Sequence, residues 1–185
     1  YRETAEKIKE LVSYAEPNPY AYGYNDACTA FARGEAAMYP IGSYAIPQIK
    51  SVNPDMNIGS FTFPANDSEA DNVLNSGIDL QFSVLKESKN KEAAYEVLRF
   101  LYEDETIQIY LDDQGGIACK EGDFELAPEL EDMRSYIEEG RMADFHDHHY
   151  PSEMSVDAMV QTYLLDDSEN ALDTFLKRFD TDWQR

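Results

Sequence analysis

Every histidine of the chain falls within "FHDHHYPSEM", residues 145–154, and this clustering raises two chemistries. His146, Asp147, His148 and His149 are ligand types for zinc or nickel, which would make the protein a metal-binding module or a metal-dependent hydrolase. Asp147 and His148 are equally suited to hydrogen-bond a hydroxylated ligand, because a carboxylate accepts and an imidazole both donates and accepts. A solvated loop is the third reading of the same residue types. No HExxH helix, second carboxylate motif or thiolate set accompanies the cluster, so neither a metal nor a cofactor is assigned to the chain.

A second stretch, "GEAAMYPIGSYAIPQIK" at 34–50, places Gly42, Ser43 and Tyr44 between two apolar runs. Gly42 permits a sharp turn and Ser43 is an N-cap type, so a strand is expected to pass here into a helix. Helix N-terminal amides would then face the crevice at the strand's carboxyl end, where α/β sheets bind ligands. Tyr44 would add a flat apolar ring with a hydroxyl at its edge, suited to the C–H face of a sugar. Spacing leaves open that Tyr44 is an ordinary helix-start residue packed on a neighbour. Asp79, just after Asn75-Ser76-Gly77, is a further candidate on the polar face of a strand, or else caps a turn. Nucleophile elbows, Walker loops and GxGxxG fingerprints are missing, and Asp112-Asp113 and Asp166-Asp167 read as turns or caps. Catalysis on a bound substrate is therefore not expected.

The elements that must position these residues follow from periodicity. Helices are predicted over 3–14, from an Asp26 cap to Gly34, from Ser43 through Val52, and over 89–102, 104–111, 128–139, 154–165 and 168–179. Strands are predicted at 36–41, 57–64 and 78–85, the last alternating Ile78, Leu80, Phe82 and Val84 against Asp79, Gln81 and Ser83. The result is a helix-rich α/β chain with few strands for its helices, since open α/β sheets usually hold about four or more. Strands from outside these residues would account for the shortage.

Composition narrows the partners. Lys and Arg number 15 against 37 Asp and Glu, a net charge of -22, so the field repels nucleic acid and anionic membrane surfaces. No run approaches the roughly 20 apolar residues of a membrane span. Cys28 and Cys119 fit neither a CxxC pair nor a zinc set, and Cys28 is expected to be a buried free thiol. The chain opens at Tyr1 without a methionine or an apolar leader, so any secretion signal is expected upstream or already removed.

In combination, "AFARGEAAMYPIGSYA" (30–45), "NIGSFTFPA" (57–65), "SGIDLQFSVLKESKNKEAAYEVLRFLYEDE" (76–105) and "DQGGIAC" (113–119) resemble the second half of an extracellular solute-binding protein that delivers oligosaccharides to ABC importers. The resemblance implies part of a two-lobed, periplasmic-binding-protein-like (type II) fold with incomplete sheets. It assigns 1–60 and 126–185 to one lobe and 61–125 to the other. It implies a sugar held in the interlobe cleft, permease subunits as partners, an extracellular, cell-surface or periplasmic location, and membrane attachment only through an upstream lipid anchor. In such proteins the aromatic after Gly-Ser, often Trp, stacks on the sugar, and Tyr44 stands there. Ala118 replaces a frequent proline after the Gly-Gly turn. "DHHYPS" is similar to members that take α-galactosides, which implies Asp147 and His148 as sugar contacts beside Gly42, Ser43, Tyr44 and Asp79.

Overall fold

The structure, a computed structural model, describes residues 1–15, 19–78 and 80–184. The chain divides into two compact units, Tyr1–Gly23 with His146–Arg185, and Tyr24–Phe145. Each has its own core.

The first unit is helical. α1 (Arg2–Val12), α7 (Val156–Leu165) and α8 (Ala171–Trp183) bury Ala5, Met154, Met159, Tyr163, Ala171, Phe175 and Phe179 in one cluster. The i, i+3, i+4, i+7 spacing of Val156, Met159, Val160 and Tyr163 puts one apolar face of α7 against α8. Tyr1 closes over Phe179 with ring centroids 4.2 Å apart, and Trp183 stacks on the same ring at 6.4 Å, which packs the tail down. Lys9 donates to the Asp166 carbonyl at 3.0 Å, which satisfies one of the acceptors left open at the end of α7.

In the second unit, α2 (Tyr24–Ala32) packs on α3 (Ala45–Val52) through Cys28, Ala32, Ala45 and Ile49. Three of these four are small or slender, so the helices approach closely. Cys28 is fully buried and unbridged, as expected, and Cys119 is free and exposed. Next come α4 (Lys91–Leu101) and α5 (Asp104–Gln114), the latter ending at Gly115. Gly115 adopts φ +63°, ψ +40° and a Cβ there would stand 3.2 Å from the Ser43 carbonyl oxygen. The left-handed turn and the close approach both call for glycine. The expected helix at 128–139 is two pieces, a 3-10 turn at Pro128–Met133 and α6 (Arg134–Glu138).

The strand expectations are corrected. None of 36–41, 57–64 or the described part of 78–85 joins a ladder; among the described residues the sheet is β1 (Leu74–Asn75) parallel to β2 (Met142–Ala143). An isolated strand leaves its backbone donors and acceptors unpaired, so an alternating pattern without a neighbouring strand does not hold a sheet. Ile78, Leu80, Phe82 and Leu85 are all more than half exposed. Segment 57–64 is tied down by side chains instead: Ser60 Oγ donates to the Glu129 carbonyl at 2.6 Å and Thr62 Oγ1 to Tyr136 Oη at 3.2 Å. The molecule is a helix-rich α/β chain with a very small open sheet.

Candidate functional site

α3 begins one residue later than the sequence predicts. Its N-cap is Tyr44, with helical φ −57° and ψ −13°, and no side chain caps it, so Ser43 does not act as the N-cap. The backbone closes the end by itself: Ala45 N–H donates to the Gly42 carbonyl at 3.0 Å and Ile46 N–H to the Ser43 carbonyl at 2.9 Å. Pro47, the third helical residue, has no N–H to offer. The expected row of ligand-facing amides from Ser43 onward is thus partly consumed within the turn. Asp26 likewise is not a cap, because α2 starts at Tyr24, two residues earlier.

What the junction presents outward is a ring. Tyr44 is 58 % exposed and folds back over Gly42, where an added Cβ would lie 2.7 Å from Tyr44 Cδ1. Gly42 is therefore glycine because the ring occupies the space a side chain would need. Tyr24, the first residue of α2, is the neighbour: its Oη donates to the Tyr44 carbonyl at 3.2 Å, and the ring centroids are 6.0 Å apart with planes inclined by 36°. Beneath, Tyr39 packs on Phe31 at 5.8 Å. Burial, followed by the nearby Cys28 thiol, pushes the Tyr39 hydroxyl up to about 12, and the same causes raise Tyr24. Both hydroxyls stay protonated near neutral pH and can donate.

A cleft of about 290 Å³ is bordered by Ile46, Pro47 and Lys50 of α3, Asp112, Asp113 and Gly115 at the end of α5, and Ala127 and Glu129. Lys50 spans it, pairing with Glu129 at 2.8 Å and donating to the Met56 carbonyl at 2.8 Å. The hydrogen bond from Lys50 holds the Glu129 carboxyl below its usual value. The ammonium of Lys50 is committed to this internal pair.

The other predicted residues fall elsewhere. Asp79 lies outside the described residues. Its neighbour Gly77 runs close to Phe145, where a Cβ would stand 3.1 Å from Cδ2, and Ser76 N–H donates to the Ala143 carbonyl at 2.9 Å. Asp147 and His148 sit in a four-residue 3-10 turn, His146–His149, and are exposed. Such a turn sets successive side chains about 120° apart, which spreads His146, Asp147 and His148 rather than converging them. Among the described residues no three His, Cys, Asp or Glu side chains are placed to hold a metal ion, so the metal reading of this cluster finds no support in the geometry. The structure thus brings Gly42, Ser43 and Tyr44 together with Tyr24 in the second unit, and Asp147 with His148 in the first.

Residues 1–108, more than half of the chain, match the profile of the bacterial extracellular solute-binding proteins. Over 127 residues, 69 % of the chain, the sequence is 32 % identical to the multiple sugar-binding protein of Streptococcus mutans. The matched stretch spans 29 % of that relative's length, less than a third of it. The stretch that carries the Gly42–Tyr44 junction, and the Tyr24 that braces it, lie inside the family match: the chain belongs to the bacterial extracellular solute-binding protein family.

Proposed function

We propose that the protein is the oligosaccharide-binding component of an ABC importer and not an enzyme, working outside the cytoplasm and passing its sugar to the permease subunits. The observation that carries this reading is the exposed Tyr44 ring seated over Gly42 at the start of α3. A ring in that position offers an apolar face to sugar C–H groups and a hydroxyl to sugar oxygens. Family membership and a sugar-binding relative support it. In the complete protein, segments 1–60 and 126–185 would build one lobe and 61–125 the other, with closure of the lobes trapping the sugar. Asp79, Asp147 and His148 would supply hydrogen bonds to the sugar, and an upstream lipid anchor would hold the protein at the membrane.

A thermal-shift screen of the complete protein against oligosaccharides tests this. Stabilisation by at least one sugar is expected, because a ligand that binds only the folded state raises its stability by mass action. Stabilisation by a peptide or by zinc with none by any sugar would sink the proposal. Tyr44→Ala should weaken sugar binding roughly two- to tenfold, the range of an aromatic contact of about 0.5–1.5 kcal/mol, with little change in melting temperature.

A further inference from the structure

Tyr44 does not stand alone. The Tyr24 hydroxyl reaches its carbonyl at 3.2 Å, and that carbonyl belongs to the N-cap residue of α3. Tyr24 itself is fixed from below. Cys28, four residues on and so on the same face of α2, is fully buried in the cluster that joins α2 to Ala45 and Ile49 of α3. The relative position of the two tyrosine backbones is thereby set by helix packing rather than by a loop. Both rings nevertheless remain open, Tyr24 at 43 % and Tyr44 at 58 %, and their planes meet at 36° with centroids 6.0 Å apart.

Two aromatic faces at an angle fit a particular kind of ligand. A single sugar ring covers one flat face, whereas consecutive units of a glycosidically linked chain are turned relative to one another and can follow an inclined wall. We propose that Tyr24 is a specificity-determining residue: its ring, inclined to that of Tyr44, adds the second face, so that the site takes linked sugar units in preference to a monosaccharide. This rests on the sugar-binding reading of Tyr44. It makes Tyr24 part of the site although it lies 20 residues away in sequence.

The experiment compares wild type, Tyr24→Phe and Tyr24→Ala in the complete protein. Titration calorimetry is run with trisaccharides of glucose and galactose and with the two free monosaccharides. Tyr24→Ala is expected to lower trisaccharide affinity about fivefold, the loss of one aromatic contact, while monosaccharide affinity stays within about twofold. Tyr24→Phe, which keeps the ring, should recover most of the loss and guards against a folding defect. Equal loss for both sugar classes, or an unchanged trisaccharide affinity, overturns the proposal. A second arm needs no sugar: in protein carrying 13C-labelled tyrosine, the Tyr44 ring resonances should move in Tyr24→Ala, and unmoved resonances overturn the pairing of the two rings. If wild type binds none of these sugars, the ligand reading fails, and the resonance arm still decides whether the two rings form one wall.

Discussion

Gly42 and Tyr44 act as one unit because the ring fills the space beside the glycine. Gly42 is not among the glycines with positive φ, so alanine is compatible with its backbone but not with the ring, whose Cδ1 would lie 2.7 Å from the new methyl. Gly42→Ala is therefore expected to swing Tyr44 away and reduce sugar affinity as much as Tyr44→Ala does, with the melting temperature nearly unchanged; calorimetry beside a thermal melt checks both. At this scale the sequence is informative where the partners are neighbours in the chain, as in Gly42-Ser43-Tyr44. It is silent on Tyr24, whose role exists only because α2 packs against α3. It also misplaces the cap, since a serine before a helix is a frequent N-cap, whereas here the carbonyls of Gly42 and Ser43 take the first amides.

At the scale of elements, Lys50 joins α3 to the 3-10 turn at Pro128–Met133 through Glu129, both ends being largely shielded from solvent. The hydrogen bond from Lys50, first among the causes, lowers the Glu129 pKa from its reference of 4.5. The folded chain thus binds this proton more weakly than the unfolded chain does. The stabilisation is complete above about pH 4.5, the reference value for the unfolded chain, and is lost as pH falls through the lower folded value. Glu129→Gln should cost about 1.5 kcal/mol at neutral pH, the lower end of the range for a hydrogen bond to a charged group, and should flatten the acid end of the stability profile in urea unfolding. Helices such as α1, α7 and α8 are legible in the sequence because their 3.6-residue period needs only one apolar partner face. The strand patterns at 36–41, 57–64 and 78–85 form no ladder among the described residues, because a strand is completed by hydrogen bonds to a partner strand that its own sequence does not specify.

For the whole molecule, two compact units with separate cores stand beside segments that have apolar residues but no burial. Hydrogen exchange on the 185-residue chain should show slow amides in α2, α3, α7 and α8 and fast amides over 80–85, which have no ladder partner among the described residues. Protection of 80–85 equal to that of α8 would contradict this picture. The net charge of -22 acts at the same scale, setting which partners the surface repels rather than which fold forms. The sequence by itself determined the helices, the buried thiol at Cys28, the acidic surface and the family motif around Gly42 and Tyr44, because each depends on local spacing or on summed composition. Only the tertiary structure decided that Tyr24 braces Tyr44, that Gly115 seats against Ser43, that the strand patterns stay unpaired and that β1 meets β2, because these depend on contacts between residues far apart in the chain.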